Sequence, residues 1–304
     1  MAKAQLKILA FLITVGLVAG TLSVAWWFYT NVLLKEHRLE QDIAAMKGVD
    51  RPRIDPGLRR FEAAVDLIRA GQIEEGREAL YKLRQQFPDS GACPEAIRII
   101  GEINMDMLYS PDKTAGKKDY IVQPGNTLLG IAVKHDTTID SIIRMNSLMS
   151  TLIHPGDHLT IMPLDFNLGV SVSKKQVMLL RKVGEREYLF KVYEAKDVRL
   201  PASVRVPSQI EIAGKNAQLN GKNLLPTDSD YAATEKWLSG TRGVIIRTPP
   251  VPKALPVPAP SKDGTLPPVP DLAESAETGV FLAREDIEEL FALVRKGAKL
   301  SLIR

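Results

Sequence analysis

The chain changes its hydrophobic rhythm three times. It opens with an apolar run: no charged residue lies between Lys7 and Lys35, and Ile8, Leu9, Phe11, Leu12, Ile13, Val15, Leu17 and Val18 lead to Trp26-Trp27-Phe28-Tyr29. A membrane-spanning helix needs about 20 apolar residues, and aromatic side chains gather where it leaves the hydrocarbon. Residues 1–34 therefore predict a transmembrane anchor. Ser23-Val24-Ala25 has the small side chains of a signal-peptide cleavage site. A signal core, however, is about 7–15 apolar residues followed by polar sequence. Here the apolar run passes through the site, which favours an uncleaved anchor.

Helical spacing follows over residues 56–110. Phe61, Ala64, Val65, Leu67 and Ile68 recur at three and four residues until Gly71. Ile73, Gly76, Ala79, Leu80 and Leu83 form a second face that stops near Phe87-Pro88, and Ala96, Ile97, Ile99, Ile100, Ile103 and Met107 form a third. The stretch from Phe61 to Pro88 resembles one tetratricopeptide repeat, through Ala64, Gly71, Ala79 and Pro88. A single repeat cannot bury its own faces. A helical hairpin plus one helix, acting as a spacer or oligomerisation element, competes with a true partner-binding repeat.

Residues 118–163 read strand, helix, helix, strand. Tyr120 and Val122 alternate; Gln123-Pro124-Gly125 turns; Asn126 or Thr127 caps a helix bearing Leu128, Ile131 and Ala132. Thr138 caps a second helix with Ile139, Ile142, Ile143 and Met145 inward, and Pro155-Gly156 turns into Leu159-Thr160-Ile161. After Pro163 the period drops to two. Phe166, Leu168, Val170 and Val172, then Val177 and Leu179, then Tyr188, Phe190 and Val192 predict a β-meander. An amphipathic helix over Arg284–Val294, Gly297 and a strand over Lys299–Ile303 close the chain. The predicted fold class is α+β, multidomain: anchor, helical segment, βααβ module and a mostly-β domain over 165–304.

Composition narrows the chemistry. The net charge is +4 over 304 residues and no Lys/Arg run exceeds two, so the basic surface that nucleic acid needs is not indicated. Cys93 is the single cysteine, which excludes an intramolecular disulfide. His37, His135, His154 and His158 lack metal-site spacing with it or with one another. No metal and no cofactor is expected. Thr248–Leu272 holds nine prolines, Pro249 to Pro270. Such a segment favours extended, solvated backbone, and it predicts a semi-rigid loop over 249–272 that interrupts the last domain. A ligand for a proline-reading partner is the alternative.

Two resemblances then give the chain a function. Val122, Gly125-Asn126-Thr127-Leu128, Ile131-Ala132, Thr137-Thr138, Asn146 and Pro155-Gly156 resemble the LysM family's motif in order and spacing. That resemblance implies a peptidoglycan-binding module whose groove lies between the loop Gly125–Leu128 and the loop Leu152–Gly156. The glycan-binding residues it implies are Gly125, Asn126, Thr127, Leu128, Ile153, His154, Pro155 and Gly156. The family's Asp is Asn126 here, which keeps a carbonyl acceptor and loses the charge. The partner implied is N-acetylglucosamine-containing glycan.

Residues 165–304 resemble the L,D-transpeptidase catalytic domain. The resemblance rests on the meander, Leu200-Pro201 through Ile210, Trp237-Leu238 through Thr248, and the Glu-Asp-Ile-Glu-Glu-Leu helix before a glycine and a strand. Those enzymes use a Cys thiolate deprotonated by a His, in a motif that aligns with Ala276-Glu277-Thr278-Gly279-Val280-Phe281. No cysteine follows Cys93 and no histidine follows His158. The expectation is a pseudoenzyme with no catalytic residues. Thr278 would lack a competent base, since Glu277 is poorly suited to deprotonate a hydroxyl.

The LysM resemblance also implies export. Lys3 and Lys7 on one side of the anchor balance Lys35, Arg38 and Lys47 on the other, and the charge rule weakens when a long domain follows. Residues 35–304 are therefore expected outside the cytoplasmic membrane. The leading expectation is a membrane-anchored, non-catalytic, peptidoglycan-binding cell-envelope protein. The alternatives are a working L,D-transpeptidase and a structural or assembly protein whose helical segment binds a protein partner.

Overall fold

Gly71 and Phe87-Pro88, which break the helical periodicity in the sequence, also break it in the fold. Helix α1 (Pro56–Arg69) ends at Gly71, whose φ of +83° reverses the chain into α2 (Ile73–Gln86), and α3 (Cys93–Tyr109) follows. In this computed structural model the described residues are 55–112, 116–250 and 277–304. The expected anchor and residues 251–276 of the proline-rich region lie outside them. Among the described residues no helix is long and apolar enough to cross a membrane. The three helices bury Ala64, Leu80, Leu83, Cys93, Ala96 and Ile100 between them. Cys93 is buried among these apolar side chains.

The βααβ module is formed as the pattern implies. β1 (Lys118–Ile121) and β2 (His158–Ile161) pair antiparallel, with Tyr120 opposite Leu159. Helices α4 (Leu128–Lys134) and α5 (Ile139–Met145) lie between them in the chain. Val122, Leu128, Ile131, Ala132, Ile142, Leu159 and Ile161 make the module's core.

Among the described residues ten further strands form one sheet. They are β3 (Phe166–Ser171), β4 (Gln176–Val183), β5 (Arg186–Glu194), β6 (Asp197–Arg199), β7 (Ser208–Leu219), β8 (Lys222–Asn223), β9 (Glu235–Gly240), β10 (Ile245–Arg247), β11 (Gly279–Phe281) and β12 (Lys299–Ile303). Their spatial order is β5-β4-β3-β12-β7-β9-β10-β11-β6, with β8 on β7. Helix α6 (Arg284–Leu293) packs on β9 and β10, ends one residue before the predicted Val294, and buries Ile287, Leu290, Phe291, Ala292 and Leu293. The fold is mixed α+β, with β structure dominating after residue 165.

The meander forms, but one phase of its alternation is corrected. A bulge lies where Leu179 pairs with Lys191 and Leu180 with Leu189, so Phe190 is the extra residue. The side-chain period slips there. Tyr188, expected on the face of Phe190, is 48% exposed, while Leu189, Phe190 and Tyr193 are buried.

That bulge has a use. β5 is an edge strand, and an edge with open backbone groups must be covered. Consecutive carbonyls in a regular strand point opposite ways; at the bulge both Leu189 and Phe190 turn theirs toward the helices. Tyr81 donates its hydroxyl to the Leu189 carbonyl at 2.9 Å, and Asn104 donates from Nδ2 to the Phe190 carbonyl at 2.7 Å. Gly101 lets α3 approach this closely, since a Cβ there would sit 2.9 Å from Cγ of Lys191. Lys191 bridges Glu102 of α3 and Glu289 of α6 at 3.3 and 2.9 Å. The helical segment therefore caps the sheet edge, and Met105 and Leu108 of α3 join the sheet's own core. The segment, expected as a spacer or oligomerisation element or as a partner-binding repeat, is fixed in place by contacts the sequence does not display.

Asn104 is 4% exposed and also accepts from Arg77 at 3.2 Å. The Asn104→Ala variant should lose about 1–3 kcal/mol in chemical denaturation, because it strands the Phe190 carbonyl without a donor. A loss under about 0.5 kcal/mol would show that the edge is held elsewhere.

Candidate functional site

Two tripeptides in the βααβ module share one chemistry: Pro124-Gly125-Asn126 and Pro155-Gly156-Asp157. Each closes the same turn. Asn126 N donates to the Gln123 carbonyl at 3.0 Å, and Asp157 N to the His154 carbonyl at 3.0 Å. In return Gln123 N donates to Oδ1 of Asn126 at 2.9 Å, and His154 N to Oδ2 of Asp157 at 2.7 Å. Proline presets the first corner and glycine supplies the positive φ at the second, +81° at Gly125 and +96° at Gly156. Val122 ties the turns together: its N–H donates to the Asp157 carbonyl, and its carbonyl accepts from Gly156 N, both at 2.9 Å. A pair of matched, backbone-lined turns results.

The residues named from sequence divide on these turns. Gly125, Thr127, His154, Pro155 and Gly156 are exposed and Asn126 is half-buried. Leu128 is corrected: its side chain is 4% exposed and belongs to the module's core, because the first turn of α4 must bury an apolar residue. Ile153 packs against that core from the edge. Thr127 is the helix cap, accepting from Gly130 N at 3.1 Å. Asn126 is not the free acceptor expected. Its Oδ1 also receives the Tyr120 hydroxyl at 2.5 Å, so the group it has left to offer is the Nδ2 donor. Three exposed apolar side chains lie on the same segments: Ile121, Leu129 and Leu152, at 48, 62 and 70%. Ile121, Leu129 and Asp157 were not picked out by motif reading; the repeated Pro-Gly-Asx signal marks Asp157.

The module's orientation is set by its second helix. Thr138 caps α5 by accepting from Ser141 N at 3.0 Å, and its hydroxyl donates to the Ala292 carbonyl at the end of α6. Arg295 holds Asp136 through its carbonyl and its Oδ1, each at 2.8 Å. Tyr231 donates to Asp140 at 3.1 Å, and Arg144 to the Glu288 carbonyl at 3.2 Å. Lys236 pairs with Glu288 at 2.6 Å and lies 4.3 Å from the Tyr231 ring centre. Lys215 donates to the Phe291 carbonyl and sits 4.4 Å from the Phe291 ring centre. The paired turns are thus carried on a fixed mount.

At the far end of the sheet, the segment that resembles a thiol-bearing motif is a packed strand. Gly279, Val280 and Phe281 are all buried, with β10 parallel on one side and β6 antiparallel on the other. Arg247 takes the carboxylates of Glu277 at 3.3 Å and Glu235 at 3.2 Å. Thr278 is exposed beside them, and the one carboxylate adjacent to it in the chain is already paired. Among the described residues no group of three or more His, Cys, Asp or Glu is placed to hold a metal.

Burial holds the Lys215 ammonium down to about 8, against an ordinary value of 10.5. A lowered lysine pKa means that folding favours the neutral form. Charged Lys215 therefore costs stability below about pH 8, and the cost is relieved as pH rises toward 10.5. Stability relative to Lys215→Met should climb between those values, by up to about 3 kcal/mol. Denaturation midpoints at pH 7 and pH 10 measure it, and parallel pH profiles would refute it.

Comparison with known proteins agrees with the local chemistry. Residues 120–161 match the LysM domain family, so this chain carries a LysM domain. No curated protein sequence matches the chain. Among solved structures the chain is similar to an L,D-transpeptidase (Yku) from Stackebrandtia nassauensis, at 10% identity over 46% of this chain and 56% of that one, TM-score 0.28. It is also similar to L,D-transpeptidase 1 of Mycobacterium tuberculosis, at 11% identity, 49% and 67% coverage and TM-score 0.28. A fused Zn-dependent amidase/peptidase/peptidoglycan-binding domain-containing protein from Clostridium acetobutylicum gives 11% identity, 45% and 51% coverage and TM-score 0.30. The chain spans about half the length of the first of these structures.

Proposed function

We propose that the protein binds peptidoglycan without modifying it, from an anchor in the cytoplasmic membrane of a bacterial cell. The observation that carries this reading is the LysM domain at 120–161 with its paired Pro-Gly-Asx turns. Glycine at the tip of each turn lets a sugar approach the backbone closely. Exposed main-chain groups and the Asn126 amide suit the hydroxyls and amide of an N-acetylated sugar. Ile121, Leu129 and Leu152 offer apolar surface to its methyl group. The full chain, purified in detergent, should be depleted from solution by isolated sacculi. Gly125→Val and Gly156→Val, which force a β-branched residue to positive φ, should weaken binding about tenfold or more, whereas Lys134→Ala should leave it unchanged. Absence of depletion by sacculi would remove the glycan reading.

The non-catalytic half of the proposal is supported by the sequence and by the Arg247 ion pairs. A thioester needs a sulfur nucleophile, and after Cys93 the chain holds only methionine sulfur. In the same preparation, tetrapeptide-bearing muropeptides should give no cross-linked dimers, and a carbapenem should form no covalent adduct. An adduct between Thr248 and Phe281 would establish the transpeptidase alternative, with Thr278 its first candidate nucleophile.

The anchor rests on the uncharged run from Ile8 to Leu34, and the outward placement of residues 35–304 rests on the export that the LysM domain implies. Protein from the native host should sediment with membranes and retain an N-terminus near Met1. A mature N-terminus near Trp26 would show a cleaved signal peptide instead.

A further inference from the structure

Helix α2 and strand β4 bring two arginines together beside the end of α3. Arg77 stands one helical turn before Tyr81, whose hydroxyl rests on the Leu189 carbonyl at 2.9 Å. Leu189 pairs with Leu180 across the ladder, and Arg181 is the next residue of β4. On the other side, Nη1 of Arg77 donates to Sδ of Met107, and Nζ of Lys117 to the Met107 carbonyl, both at 3.0 Å. Gly116 precedes Lys117, and a Cβ there would lie 3.4 Å from Nη2 of Arg181. The path closes: Arg77, Met107, Lys117, Gly116 and Arg181 meet at one half-buried spot.

Two of these cations are short of acceptors. The Arg77 side chain is 21% exposed, and its Nε is buried without a hydrogen-bond partner. Its Nη1 is taken by Asn104 and Met107, while Nη2 has Glu78 at a loose 3.8 Å. The half-buried Arg181 guanidinium makes no hydrogen bond and no ion pair among the described residues. Burial holds it below the ordinary arginine range; Asp165 opposes that from beyond ion-pair distance, and Arg77 adds to it. A lysine or histidine would relieve such a place by losing its proton. An arginine stays charged. Lys117, by contrast, is spent on the carbonyls of Met107, Ser110 and Asp112. What remains is a pair of like charges that only an anion can relieve.

We propose that Arg77 and Arg181 together hold a phosphate group. A planar carboxylate is satisfied by a single guanidinium fork. A tetrahedral phosphate has oxygens for two forks arriving from different elements, here α2 and β4. Free phosphate and the headgroup of an anionic phospholipid share this chemistry. The assignment is independent of the glycan reading.

Urea denaturation of the full chain in non-ionic detergent, at constant ionic strength, tests it. In chloride, R181Q should be at least as stable as the parent chain, because it removes a like-charge contact and no hydrogen bond. Raising inorganic phosphate from about 1 to about 100 mM should lift the parent's midpoint by about 1 M urea, for a dissociation constant of about 1 mM. Phosphate also stabilises proteins by exclusion from their surfaces. R181Q should keep only that smaller rise, and R181K, which keeps the charge and loses the fork, should fall between. Glycerophosphoglycerol, the soluble headgroup diester of phosphatidylglycerol, separates the sources. A rise that needs Arg181 with the diester assigns a lipid headgroup, and one with inorganic phosphate alone assigns the free ion. Equal rises in the parent and R181Q with both probes would overturn the site. So would an R181Q chain less stable than the parent in chloride, since Arg181 would then already be paired.

Discussion

Helix α6 is buried along most of its length, and the remainder of the described structure is organised by what that burial requires. Its Phe291 and Ala292 carbonyls lie past the end of the helical ladder on buried residues, a situation that costs free energy unless donors are brought in. The donors come from two distant parts of the chain: Lys215 of the sheet takes the Phe291 carbonyl, and Thr138 of the LysM domain takes that of Ala292. The helix's acidic side chains work the same way, since Glu288 holds Lys236 and Glu289 holds Lys191. One helix end thereby ties the module to the sheet, and one acidic face ties the sheet to the helical segment. Met145, Met162 and Leu164 are buried with sheet residues in a common core as a result.

This has a consequence for glycan recognition on the proposed reading. A binding module on a flexible tether samples many orientations and loses that freedom when it binds. Here the tether is replaced by a side-chain interface, so less ordering is needed on contact with a surface. The paired turns extend the same logic locally. Oδ1 of Asn126 and Oδ2 of Asp157 are spent on holding their own turns, and on the proposed reading contact is left to the backbone, the Asn126 amide nitrogen and exposed apolar side chains.

The sheet's far end is organised for packing. Val280 and Phe281 are core residues between β10 and β6, and Arg247 draws Glu235 and Glu277 together over them. Arg is always charged at physiological pH and carries five donors with no acceptor. It can therefore hold two carboxylates at once. The ion pairs are partly exposed, so their contribution is geometric order more than stability.

Much was legible from residue order alone wherever the governing interactions are short in sequence. Helix breaks at Gly71 and Pro88, caps at Thr127 and Thr138, the βααβ order and the meander all depend on neighbours within about four residues or on side-chain period. The absence of a thiol and an imidazole beyond His158 is equally a sequence property. What the tertiary structure alone decided depends on partners far apart in the chain. Asn104 finds Phe190, Thr138 finds Ala292, and Arg295 finds Asp136, at separations of 86, 154 and 159 residues. No periodicity encodes such pairs, because a polar side chain reads as solvent-facing until burial removes the water. The bulge at Phe190 follows the same rule. An inserted residue leaves the amino-acid pattern of β5 intact and shifts only its phase, and the phase is set by the helices that cap the edge.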